Sequence, residues 1–230
     1  MKILCITHAD FETPGVIEDW AKIKGHGFEI KRPYRGDVLP DIDTYDFLIV
    51  MGGPQSPLKL HESPYLSNEI SLIKKAIEQN KKVIGFCLGA QLIGEACGAQ
   101  TERSPEKEVG VFPITLNPEA RNDPLLKDFP ETVSVIHWHN DMPGLTQNAV
   151  ILAHSQGCPR QVVRYNSRTY GFQCHLEMTL EDIRGMVQAV AADLTPQARY
   201  VQSADELFAQ DYAPINAMML KILDRLVELS

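Results

Sequence analysis

The sequence is short of what a membrane span needs, because none of its apolar runs approaches 18 residues. The opening segment, Met1-Lys2-Ile3-Leu4-Cys5-Ile6-Thr7-His8, is too brief for the apolar core of a signal peptide, and His8 and Asp10 close it. Basic residues are in deficit, with 22 Lys+Arg against 30 Asp+Glu and a formal net charge of −8. Such a chain gains little from counterion release at phosphates, which argues against nucleic acid as its main partner. Cysteine is sparse as well: Cys5, Cys87, Cys97, Cys158 and Cys174 are odd in number, widely spaced, and contain no Cys-x-x-Cys pair. That pattern excludes a disulfide framework or a zinc knuckle and leads to the expectation of a reduced, cytoplasmic protein. Walker A and Gly-x-Gly-x-x-Gly patterns are missing, so no nucleotide site is expected.

What remains is an ordinary globular composition, 44% hydrophobic and 23% charged over 230 residues. Short β-branched runs alternate with helical patterns through the first half. Lys2–Thr7, Phe28–Lys31, Asp46–Met51 and Lys82–Phe86 read as strands. Pro14–Lys24, with Val16, Ile17, Trp20 and Ile23 on one stripe, reads as a helix, as do Tyr65–Gln79 and the segment from Cys87 to about Gly98. Successive β-α-β units predict a parallel sheet with right-handed crossovers. From residue 109 to 177 the spacing predicts strands joined by turns: Val109–Leu116, Thr132–Trp138, Ala149–Ala153, Gln161–Tyr165 and Thr169–Cys174. Charges at Glu102–Glu108 read as a solvated loop, and helices are expected over Leu180–Leu194 and Ala204–Leu229. The reading is an α/β fold with a mostly parallel central sheet flanked by helices and antiparallel strands in the second half. Residues 1–195 form the main domain, and 196–230 a helical C-terminal extension packed on it.

The most informative stretch is Gly85-Phe86-Cys87-Leu88-Gly89, lying between a predicted strand and a predicted helix. A Gly-x-nucleophile-x-Gly turn holds its central residue strained at a strand tip, exposes the sulfur, and places it at a helix N-terminus that favours thiolate. The Leu88 N–H then points into the same space as an oxyanion donor. A thiol nucleophile needs a base with an orienting partner, and His175 is followed at i+2 by Glu177. In extended chain these side chains share a face. Gly52-Gly53-Pro54 ends another strand and can bring a second backbone N–H close to a substrate, although a plain turn fits that triplet equally well.

Gly52-Gly53-Pro54-Gln55-Ser56, Gly85-Phe86-Cys87-Leu88-Gly89-Ala90-Gln91 and Tyr170-Gly171-Phe172-Gln173-Cys174-His175-Leu176-Glu177 resemble the three signature blocks of class I glutamine amidotransferases. The likeness is strongest to stand-alone, GMP-synthase-like members. The resemblance implies a flavodoxin-like sheet and a Cys87-His175-Glu177 triad that releases ammonia from the side-chain amide of glutamine through a thioester. It also implies Gly53 and Leu88 as oxyanion donors, with Gly52 and Gln91 as substrate contacts. Trp138-His139-Asn140-Asp141 falls where the family holds the amino-acid end of its substrate. Departures from the family pattern are Leu176 where Pro is frequent, Ala90 where His, Met or Tyr is frequent, and Cys174 where Phe is frequent; none removes a group the chemistry requires.

Two other functional readings stand beside glutamine hydrolysis. One keeps the triad and takes γ-glutamyl peptides or conjugates; the other is a non-enzymatic scaffold for a metabolite or partner. Only 52 residues follow Met178, so an ammonia-accepting enzyme is expected on a separate polypeptide. No cofactor and no metal are expected. His137-Trp138-His139 invites a metal reading, but no carboxylate or cysteine lies at a matching ligand spacing, and a polar strand end beside the pocket is preferred.

Overall fold

The computed structural model describes residues 1–194 and 198–229. Strands β1 (Lys2–Ile6), β2 (Gly27–Lys31), β3 (Phe47–Val50) and β4 (Lys82–Phe86) alternate with helices α1 (Val16–Ile23), α2 (Leu66–Glu78) and α3 (Leu88–Ala96). There follow β5 (Glu102–Leu116), β6 (Thr132–Met142), β7 (Val150–His154), β8 (Val162–Asn166) and β9 (Thr169–Phe172). The chain ends in α4 (Leu180–Ala189), a short β10 (Tyr200–Val201), α5 (Ala204–Phe208) and α6 (Ala213–Glu228). The strands form one sheet in the order β10-β5-β7-β8-β9-β4-β3-β1-β2, with β6 paired to β5. Pairs from β2 through β1, β3 and β4 to β9 are parallel, while β5 with β6 or β7, β7 with β8, and β8 with β9 are antiparallel. The α/β architecture read from the sequence is therefore the observed one.

Alternation along the strands divides the core between the two sheet faces. Ile3, Cys5, Phe47, Ile49, Ile84 and Phe86 pack with residues of α1, α4, α5 and α6. Leu4, Ile6, Leu48, Val50 and Val83 pack with α2 and α3. Because both faces are covered, these strands are apolar at nearly every position, which is why they read as continuous runs.

Several boundaries differ from expectation. Ile23 is 82% exposed, because α1 ends there and its buried stripe is Ile17, Trp20 and Ala21. Glu102–Glu108 is part of β5, not a loop: it pairs with an extended β6 through a bulge between Arg103 and Glu108, and Glu108 is buried. The Ala204–Leu229 helix is two helices, since Pro214 lies in the first turn of α6 and opens a new helix there. Tyr200–Val201 adds a parallel strand beside β5 that hydrophobic pattern did not reveal. The division placed between residues 195 and 196 lies outside the described residues. Among the described residues, no helix is long and apolar enough to cross a membrane.

Candidate active site

The turn after β4 sets the geometry. Cys87 has φ 49° and ψ −108°, a conformation costing a non-glycine residue on the order of 1–3 kcal/mol. The strain is held in place by close packing on both flanks. A Cβ on Gly85 would collide with the Gly89 backbone, and one on Gly89 with the Val50 carbonyl. The Cys87 N–H is bound to the Phe172 carbonyl at 2.8 Å, and its own carbonyl accepts from Ala90 and Gln91 as α3 begins. The sulfur is less exposed than the sequence suggests. Cys87 is buried and meets solvent only along one wall of a cavity of about 300 Å³.

His175 lies just past β9, tied to β6 by two backbone hydrogen bonds with Ile136 of 2.8 and 3.1 Å. Its Nδ1 lies 2.6 Å from Glu177 Oε1, and the other carboxylate oxygen accepts from the Leu176 N–H at 2.9 Å. The Cys87 thiol meets the His175 ring, the Leu88 N–H and, at 3.5 Å, the Trp138 carbonyl. Burial pushes the thiol up, and the hydrogen bond from His175 works against that. Burial also lowers the His175 pKa, but the Glu177 carboxylate and the thiol outweigh it and hold the ring well above the usual histidine range. An imidazolium is thereby favoured beside the sulfur, and it is what compensates a buried thiolate.

Gly53, Cys87, Gln91, Trp138, His139 and Asn140 line the cavity, whereas Gly52, Leu88, His175 and Glu177 sit behind its wall. Gln91 reaches Gln173 Oε1 at 3.2 Å, and Trp138 Nε1 donates to Asp193 at 3.1 Å. The Gly52-Gly53 peptide is held by a group that the motif reading missed. His8 Nδ1 is 3.0 Å from the Gly52 carbonyl and Nε2 is 2.7 Å from Glu69 Oε2, all of it buried. Both partners accept, so the ring donates from both nitrogens as an imidazolium. Across a trans peptide the carbonyl and the next N–H point in opposite directions, so anchoring the Gly52 oxygen turns the Gly53 N–H away from His8. Gln55 adds a bond to the His8 carbonyl at 3.0 Å.

Two more cavity residues escaped the sequence reading. Glu12 is buried against Gly52, and burial pushes its pKa up to about 7 although His175 and His8 pull it back. Arg103, exposed on β5, donates to Asp141 at 2.7 Å, while Ser56 donates to the other oxygen of that carboxylate at 2.6 Å. A lone Glu in a loop and a lone Arg in a charged stretch carry no local signal; only the fold brings them to the cavity.

The sequence matches the family described as glutamine amidotransferase class-I over residues 27–188. It is 43% identical to the glutamine amidotransferase-like protein YfeJ of Salmonella typhimurium over 232 aligned residues, covering 98% of this chain and 97% of that one. A solved glutamine amidotransferase from Methylobacillus flagellatus superposes with a TM-score of 0.90 at 28% identity, covering 99% and 94% of the two chains. A shorter match reaches gamma-glutamyl peptidase 4 of Arabidopsis thaliana at 24% identity, over 66% of this chain and 61% of that one. With the family matched over most of the sequence and a 43% identical relative aligned over nearly the whole of both chains, this chain belongs to the class I glutamine amidotransferases.

Proposed function

We propose that the chain hydrolyses the side-chain amide of glutamine, with Cys87 as nucleophile, His175 as acid and base, and Glu177 as the group that orients and charges His175. The observation that carries this reading is one continuous set of contacts: a strained, cavity-lining thiol against an imidazole that a carboxylate grips at 2.6 Å. Cys87 Sγ attacks the carboxamide carbon, forming a C–S bond and an oxyanion. The N–H groups of Leu88 and Gly53 stabilise that oxyanion, Gly53 being aimed by the His8 anchor on Gly52. His175 gives its proton to the departing nitrogen, the C–N bond breaks, and ammonia leaves a thioester. His175 then takes a proton from water, which attacks the thioester and frees glutamate and the thiol.

The cavity lining also offers groups of both charges, among them the carboxyl group of Glu12, beside the triad, and the guanidinium of Arg103, paired with Asp141. An α-amino acid head group, cationic at one end and anionic at the other, complements such a wall. That complementarity serves glutamine and γ-glutamyl peptides alike, and the likeness to a γ-glutamyl peptidase supports assaying both. Ammonia released here would pass to an acceptor enzyme.

The test is glutamate release from glutamine and from γ-glutamyl dipeptides by the intact protein and by Cys87→Ala. We expect the substitution to lower the rate by at least about 10⁴-fold on whichever substrate is turned over. Release unchanged in the variant would end the proposal. A preference for dipeptides would move the assignment to peptidase.

A further inference from the structure

The β5–β6 pairing creates a second cluster that reaches the cavity wall through His139 and is made of groups that take no part in the proposed bond-making steps. Glu108 on β5 lies directly opposite His139 on β6, and His137, two residues earlier, shares the His139 face. This supplies the carboxylate that the His-x-His motif lacked in the linear sequence. Glu108 Oε2 is 3.2 Å from His139 Nε2 and 3.5 Å from His137 Nδ1, and one ligand atom from each of the three residues lies within 4.8 Å of the others. Bonds of about 2.0–2.1 Å to a tetrahedral metal separate neighbouring ligand atoms by ~3.3 Å.

Two further observations point to a cation. First, His137 Nε2 faces the Phe112 carbonyl at 3.3 Å. A carbonyl only accepts, so the ring proton sits on Nε2 and Nδ1 is a bare lone pair. That lone pair is fully buried, has no hydrogen-bond partner among the described residues, and is directed toward a carboxylate oxygen. Two facing lone pairs repel unless a positive centre sits between them, and a histidine donating one nitrogen to a carbonyl while offering the other is the usual arrangement of a metal ligand. Second, Glu108 is 1% exposed, yet among the described residues no Lys or Arg pairs with it; its neighbours are the two histidines, Ser155 and Gln161. Buried carboxylates are paired or bind metal. The single Ser155 hydroxyl lies 2.8 and 2.9 Å from the two carboxylate oxygens and Gln161 donates to one of them at 2.7 Å, which fixes the group as an outer shell would.

We propose that Glu108, His137 and His139 form a binding site for one divalent transition ion of the zinc type, set in the β5–β6 ribbon. The ion does not touch the reacting atoms. It pins the backbone on either side of Trp138, whose carbonyl meets the Cys87 thiol, and fixes His139 in the cavity wall.

The experiment uses full-length protein carrying Cys87→Ser, so that the active-site thiol cannot bind the probe. Chelator-treated protein is titrated with Co²⁺, read by visible absorption between about 500 and 650 nm, and then with Zn²⁺ in competition. We expect one equivalent bound per chain, a tetrahedral cobalt spectrum, and at least a ~100-fold weaker affinity in both Glu108→Gln and His137→Asn. Absence of binding by the parent protein, or affinity unchanged in the folded variants, would overturn the site. Should either variant fail to fold by circular dichroism, X-ray absorption on the zinc-loaded parent decides. Two imidazoles and an oxygen near 2.0 Å support the site, and any shell lacking imidazole refutes it. These readouts do not depend on glutamine turnover, so the site can fail while the proposed activity stands, or the reverse.

Discussion

Glu12 keeps its proton to higher pH than a surface glutamate, and the consequence can be measured as stability. Its pKa rises from 4.5 to about 7, with burial the largest cause. Between those values the folded state binds more protons than the unfolded chain, so this residue's contribution to stability falls as pH rises and levels off above about 7. The difference is on the order of 3 kcal/mol. Glu12→Gln is therefore expected to be more stable than the parent by about 1–3 kcal/mol at pH 8 and nearly equal to it at pH 4.5, measured by urea unfolding. An equal gain at both pH values would refute the assignment to ionisation. His8 gives a second residue-scale prediction. Removing it alone would strand the buried Glu69 carboxylate, so the comparison is His8→Asn/Glu69→Gln against His8→Ala/Glu69→Gln. The asparagine amide can replace Nδ1 as donor to the Gly52 carbonyl, and the alanine cannot. We expect the alanine pair to have a kcat about 10–100-fold lower at similar KM, and equal kcat values would remove His8 from oxyanion positioning. The contrast between these residues and Cys87, His175 and Glu177 shows what a sequence can reveal. A strand-turn-helix nucleophile and an i, i+2 pair are local patterns. His8 and Gly52 lie 44 positions apart, and His8 and Glu69 lie 61 apart, so no local spacing connects them.

At the scale of elements, the approach of α3 to the sheet depends on bare backbone. Gly89 lies in the first turn of α3 against the Val50 carbonyl of β3, and any side chain there must push the helix off the strand. Gly89→Ala is expected to cost at least about 3 kcal/mol in chemical unfolding, the range of severe overpacking, and to reduce alkylation of Cys87 by iodoacetamide. Stability within about 0.5 kcal/mol of the parent would show that the helix shifts without penalty. Elements covered on both faces, such as β1, β3 and β4, were legible because each is a short unbroken apolar run. The β5–β6 ribbon was not. Its outer end alternates exposed charges with few apolar residues, so Glu102–Glu108 carried the pattern of a loop while backbone pairing made it strand. Pro214 likewise opens a new helix inside what read as one helical stretch.

Over the whole molecule, the last helix supports the first half of the catalytic proposal. Asn216 on α6 donates to the carbonyls of Leu176 and Met178 at 2.9 and 3.0 Å, the residues on either side of Glu177. From the opposite end of the chain, the Val16 N–H donates to the Glu177 carbonyl at 3.0 Å, and Gly15 packs against the same carbonyl. Asn216→Ala should leave two buried acceptors unpaired, costing about 1–3 kcal/mol, and lower kcat several-fold through looser placement of Glu177. A variant with unaltered stability and kcat would show that the segment is rigid without that clamp. The core face of α6 is made by Ile215, Met219, Ile222, Leu223 and Leu226. The polar hand it extends to residues 176 and 178 is a single asparagine with no pattern around it, and only packing assigns it a task.

The same clamp has a consequence for timing. A ribosome delivers residues 85–89 and 175–177 well before residue 216, so the segment bearing the acid partner lacks its anchor until the final helix has emerged and docked. A growing chain is thus expected to hold Cys87, His175 and Glu177 before the Glu177 segment is clamped, and turnover to reach its full rate only once α6 has docked.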